Sequence, residues 1–226
     1  MFFGTDQLNK VNLAALSAFN VIDPFSLDYD QKHYDELTNA ELLANKGSVL
    51  LFDAEVFKNY FLVSFKCPVT KKIISFEMDD NKKLNIPKLK WICENYCIVG
   101  FNSYSFDIPI LAVAILGGDT ATLKMFTNWI IYDGCHRKEI EYHIKSQFEL
   151  QEDWKIPVWN HIDLIEVAPL SASLKLYSGR IHTQRMQELD IDPEKELTDK
   201  EKQVVKHYNI NDLDNTGLLM TELTPA

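Results

Sequence analysis

The stretch Ser48–Phe65, SVLLFDAEVFKNYFLVSF, constrains the fold of this chain more than any other. Ser48 to Asp53 reads as a buried strand, small then apolar then acidic, and a second apolar run follows a short polar break. Side chains alternate along a strand, so Asp53 and Glu55 project to the same face. Two carboxylates aimed together at the end of an apolar strand repel each other. Such a pair is usually maintained for a divalent cation. D-x-E alone is also compatible with an ordinary exposed strand end, so the weight falls on two further acids downstream.

Strand candidates at 48–55, 60–67 and 71–78 are joined by very short links, which predicts an antiparallel meander. Residues 87–95 read as a helix with Leu89, Ile92 and Tyr96 on one face. Residues 97–102 read as a fourth buried strand, and 106–116 as an apolar helix stopped by Gly117 and Gly118. Two helices are expected within 119–152, a fifth strand at 160–167, and helices at 171–189 and 198–223. Residues 1–46 read as an N-terminal helical extension closed by Gly47, and 47–226 as the main domain. A meander followed by alternating helices and strands predicts an α/β fold: a ribonuclease-H-like mixed five-stranded sheet flanked by helices.

At 226 residues, with 46% apolar and 12% aromatic side chains, the chain can bury one large core. No apolar run approaches a membrane span. The opening MFFGTDQLNK lacks the basic-then-apolar order of a secretory signal. Cys67, Cys93, Cys97 and Cys135 are too scattered for a disulfide framework or a zinc site, so they read as reduced thiols of a cytosolic protein. The net charge of −10 argues against non-specific duplex binding, which needs a basic field. It leaves room for a nuclease whose metal ions carry the countercharge. Seven lysines against three acids between Lys66 and Lys90 suggest a local basic stripe along which a short strand is guided.

The second acidic position follows the fourth strand, in Gly100-Phe-Asn-Ser-Tyr-Ser-Phe-Asp107. Asp107 sits where a helix begins, a place where an acid often serves only the helix dipole. Asn102 and Phe106 beside it add an amide and an aromatic ring suited to hold and stack a nucleotide end. The third position lies inside the last helix, which Thr198 and Glu201 start as a capping box. At about 100° per residue, Tyr208 lies only about 40° around the helix from Asp212, and His207 about 140° away. Tyr208 and Asp212 therefore share a face, while Asp214 reads as a solvated acid. Lys175, Arg180, His182 and Arg185 cluster on or near one helix as candidate phosphate contacts. Asp163 reads as a structural residue of the fifth strand.

F-D-A-E, N-S-Y-S-F-D and Y-N-I-N-D resemble, in order and spacing, the three motifs of the DEDD (DnaQ-like) 3′→5′ exonucleases. The similarity is nearest to the proofreading domains of phage and family A or B DNA polymerases, and spans residues 53 to 212. The resemblance implies that Asp53, Glu55, Asp107 and Asp212 bind two divalent cations, Mg²⁺ or Mn²⁺, and that Asn102 contacts the terminal nucleotide. It also implies release of nucleoside 5′-monophosphates from single-stranded DNA 3′ ends in a bacterial or phage-infected host cytosol, with a DNA polymerase domain or subunit as partner. RNA trimming, or binding without activity, remains an alternative. His207-Tyr208 satisfies both the histidine and the tyrosine branch of the family; helix phase favours Tyr208 as the water-positioning residue.

Overall fold

The computed structural model describes residues 34–169, 172–181 and 189–224. β1 (Val49–Phe57) and β2 (Tyr60–Lys66) form a tight hairpin, with Phe57 opposite Tyr60 and Asp53 opposite Ser64. β3 (Ile73–Met78) adds antiparallel to β2. α1 (Asn39–Ala44) precedes the hairpin. After β3, α2 (Ile86–Asn95) crosses over so that β4 (Cys97–Gly100) lies parallel to β1. Next come α3 (Asp107–Ile115), α4 (Thr120–Ile131) and α5 (Arg137–Gln147), then β5 (His161–Asp163), which pairs parallel with β4. α6 (Leu164–Val167), α7 (Leu174–Arg180) and α8 (Asp199–Leu223) complete the order. The sheet order is β3-β2-β1-β4-β5. It is the expected mixed five-stranded sheet flanked by helices, in an α/β ribonuclease-H-like arrangement.

The alternation along β1 assigns its two faces. Leu50, Phe52, Ala54 and Val56 enter the larger core with Leu89 and Ile92 of α2, Leu111 of α3 and Phe126 of α4. Phe52, Phe65 and Phe76 run across that face with ring centroids about 6 Å apart. Leu51 faces the other way, into a smaller cluster with Val99, Leu164, Tyr177, Leu213 and Leu219. Asp53 and Glu55 share the phase of Leu51, so both acids open toward the side that α8 covers. The helix approaches closely there: a Cβ on Gly217 would meet Leu51 Cδ1 at 2.8 Å.

Three sequence expectations change. Residues 1–33 lie outside the described residues, and 34–46 are only partly helical. Leu37 and Asp35 exchange backbone hydrogen bonds with Ile73, because the outer edge of β3 leaves backbone groups that need partners. The helix starts only after Thr38, in a capping box with Glu41. The fifth strand stops at Asp163 rather than 167, since the Asp163 carboxylate accepts from the Ile165 N–H (3.2 Å) and caps α6. The following helix begins at Leu174, where Ser173 accepts from the Leu176 N–H; residues 170–171 and 182–188, with His182 and Arg185, lie outside the described residues. No helix among the described residues is long and apolar enough to cross a membrane.

Candidate functional site

β4 ends at Gly100, so among the described residues β1 has no strand neighbour on that edge beyond Leu51. The exposed edge is used by a side chain: the Ala54 N–H donates to Asp107 Oδ1 at 3.0 Å, in a buried setting. Asp107 is therefore anchored between Asp53 and Glu55 in sequence, from the first turn of an almost wholly buried helix. Across from them, α8 places Asp212. Asp53, Glu55 and Asp212 each offer an oxygen, and these atoms lie within 4.8 Å of one another; among the described residues this is the group suited to a metal ion. Asp107 stands beside that group with its carboxylate on Ala54.

Oxygen-only donors in this number suit hard cations such as Mg²⁺ and Mn²⁺. The electrostatics agree. Burial raises Asp53 well above the ordinary carboxylate range, and Glu55, Asp107 and Asp212 raise it further. Burial, then Asp212 and Asp107, raise Glu55 in the same direction. Burial pushes Asp107 up to about 8, against the lowering effect of the Ala54 hydrogen bond. Burial also raises Asp212, although Tyr208, Lys175, Asn215 and Asn211 work against it. A concentration of acids this costly to ionise is relieved by bound positive charge. The residues present thus fit a divalent centre.

Tyr208 faces these acids. Burial raises its hydroxyl, and Asp212, Glu55 and Asp53 raise it further. His207 turns elsewhere: its Nδ1 lies 2.7 Å from the Gln203 carbonyl oxygen, one turn back on the same helix. Lys175 of α7 reaches toward the group, with Nζ 5.9 Å from the Tyr208 ring centroid, and its charge lowers Asp212 and Glu55.

An open groove of about 530 Å³ runs alongside, lined by Asp53, Asp212, Phe101, Asn102, Ile165 and Ser173. Asn102 is exposed and holds a left-handed backbone, φ 56°, a conformation asparagine tolerates better than most residues. β5 braces its turn. Ser103 Oγ lies 2.8 Å from His161 Nε2, and the Tyr104 N–H donates to Asp163 Oδ2 at 2.8 Å. Asp163 thus holds the turn as well as capping α6. Phe106 packs against the larger core and keeps only part of its ring accessible.

Two sequence readings are corrected here. Asp214 is not simply solvated: it pairs with Lys66, which is 2% exposed on β2. The lysine-rich stretch is only in part a free basic stripe, since four of its seven lysines, Lys66, Lys72, Lys82 and Lys90, pair with Asp214, Glu41, Glu77 and Glu94. One site residue escaped the sequence reading. Asn209 donates from Nδ2 to Asp53 Oδ2 (2.8 Å) and to the Asp53 carbonyl (3.2 Å). Helix phase was the available signal, because Asn209 lies about 60° around the helix from Asp212.

Comparison with known proteins finds no match: no family model, no curated protein and no solved structure is significantly similar to this chain.

Proposed function

We propose that this protein is a metal-dependent 3′→5′ exonuclease acting on single-stranded DNA ends, in a proofreading role beside a DNA polymerase domain or subunit. The observation that carries the reading is the convergence of Asp53, Glu55 and Asp212 from a strand and a helix, within 4.8 Å, beside a groove that Asp53, Asp212 and Asn102 line. Asp53, Glu55 and Asp212 would hold two divalent cations, Mg²⁺ or Mn²⁺, with Asp107 adding to the negative field. Bound there, the cations supply the positive charge that stabilises a phosphodiester as negative charge develops on it.

The chain's own groups do the rest. Tyr208 stays protonated across the neutral range, since its surroundings raise an already high pKa. It therefore orients the attacking water as a neutral hydrogen-bonding group and not as a base. The exposed Asn102 amide holds the terminal nucleotide, and the accessible part of Phe106 stacks against its base. Lys175 contacts a backbone phosphate near the acids. A strand end must be unpaired to lay its last phosphodiester among three converging carboxylates, which favours single strands over duplex ends.

The test is incubation with 5′-labelled single strands of DNA and of RNA, with Mn²⁺, Mg²⁺ or a chelator. Stepwise shortening from the 3′ end on DNA, abolished by chelation and by Asp53→Asn, is expected. Faster trimming of RNA would reassign the substrate. Cuts within a circular single strand would overturn the exonuclease reading.

A further inference from the structure

Asn209 is fully buried on α8, between Tyr208 and the core residue Ile210. Its amide nitrogen reaches both the side chain and the main-chain carbonyl of Asp53. The same amide works against the raised pKa of Glu55. Its Oδ1 is buried with no hydrogen-bond partner. A buried acceptor left without a partner is costly, and folding alone gives no reason to keep an amide there in place of an apolar side chain. The donor side of the amide explains its presence.

We propose that Asn209 is a positioning residue that fixes the Asp53 carboxylate for divalent-cation binding. The proposal deepens the metal-site reading and rests on it. A carboxylate surrounded by three others would rotate away from them. A single amide that grips both Asp53 O and Asp53 Oδ2 stops that rotation and leaves the other carboxylate oxygen for the cation. The donor has to be neutral: lysine or arginine at this place would neutralise Asp53 and repel the ion. An ammonium or guanidinium donor is therefore excluded, and a short amide has both the hydrogens and the reach. Groups behind metal ligands commonly change affinity 10- to 100-fold when removed, roughly the effect expected here.

The experiment measures Mn²⁺ binding by titration calorimetry, and thermal unfolding in chelator, for the wild-type chain, Asn209→Leu, Asn209→Ala and Asp53→Asn. Asn209→Leu keeps the branched shape and heavy-atom count of the side chain, and Asn209→Ala is the second variant should the leucine not be accommodated. The expected result is wild-type-like unfolding without metal, with Mn²⁺ affinity weakened about 10- to 100-fold in either variant. Unchanged Mn²⁺ affinity in a folded Asn209 variant overturns the proposal. So does a loss of metal-free stability with no separate loss of affinity, which marks a purely structural amide. Asp53→Asn separates the two levels of argument. If it abolishes binding while Asn209→Leu leaves binding intact, the metal site stands and the inference fails. If Asn209→Leu weakens binding but the wild-type chain degrades no 3′ ends, the inference stands and the nuclease reading fails. A wild-type chain that binds no Mn²⁺ overturns both.

Discussion

The Ala54 N–H and the Asp107 carboxylate are joined by a buried 3.0 Å hydrogen bond, which ties the first turn of α3 to the residue between the two acids of β1. The bond couples fold and site. It closes a strand edge that β4 does not reach, and it delivers an acid to the centre by the same contact. Asp107→Asn keeps an acceptor for Ala54 but removes a charge. The expected result is a loss of about 10²–10³ in the rate of the proposed exonuclease with no loss of stability. Asp107→Ala leaves the Ala54 N–H unpaired in a buried place, and unfolding should be easier by about 1–3 kcal/mol. Equal stability of the two variants would show that the bond is dispensable.

The raised acids set a pH dependence. Asp53, Glu55 and Asp107 are all shifted upward by burial, Asp107 to about 8. Between the ordinary carboxylate pKa of about 4 and pH 8 the folded state therefore binds more protons than the unfolded chain. Stability in chelator should fall as pH rises through that window. Burial lowers His161, which acts in the opposite direction around its own titration, so the comparison with Asp107→Asn isolates the acids. The variant should show a shallower decline. Mn²⁺ favours the ionised carboxylates and should raise the melting temperature more at pH 8 than at pH 5. A metal-free protein that loses no more stability than Asp107→Asn across this window would contradict the account.

Much of this was legible in the sequence because strands and helices are periodic. Alternation put Asp53 and Glu55 on one face, and the capping box at Thr198 fixed the phase of α8 well enough to turn Tyr208 toward Asp212 and His207 away. What sequence could not show was which groups from distant elements meet. Asp214 is a phase-exposed acid until β2 presents a buried Lys66 to it. Asp163 looks like one more strand residue until its two oxygens take backbone N–H groups from Tyr104 and Ile165. Helix phase puts Asn209 on the Asp212 side of α8, but phase alone does not say what a buried amide meets there. Only the tertiary approach of α8 to β1 gives it Asp53 as a partner.

The Lys66–Asp214 pair predicts a stability effect separate from the chemistry. Lys66 is 2% exposed and also lies over the Tyr34 ring, whereas the Asp214 side chain is 41% exposed. Removing one member of a fully buried pair costs about 3–5 kcal/mol, and partial hydration of Asp214 reduces this. Asp214→Ala should therefore destabilise by about 2 kcal/mol, a melting temperature lower by about 4–8 °C. Lys66→Met, which removes the buried charge itself, should cost less than Asp214→Ala. The proposed exonuclease activity per folded molecule should stay near wild type in both. The pair counts as incidental if Asp214→Ala melts with the wild type.

Tyr208 and His207 are adjacent in sequence and opposite in consequence. The tyrosine hydroxyl faces Asp212, Glu55 and Asp53, while the histidine ring is held on the Gln203 carbonyl of its own helix. Tyr208→Phe keeps the ring and its packing and removes the hydroxyl proposed to orient water. Losing one such hydrogen bond in a transition state costs about 2–4 kcal/mol, a rate reduction of tens- to about a thousand-fold. His207→Ala should leave the rate within a few-fold of wild type, with at most a small change in helix stability. The pH–rate profile supplies an independent reading. Tyr208, whose hydroxyl is raised by burial and by Asp212, Glu55 and Asp53, stays neutral through the neutral range. The shape of the wild-type profile around neutral pH should therefore survive Tyr208→Phe even as the rate falls. Asp212→Asn, which takes away a proposed ligand under either assignment, should abolish activity. A crippled His207→Ala beside an active Tyr208→Phe would reverse the assignment and require the last helix to rotate His207 toward the acids.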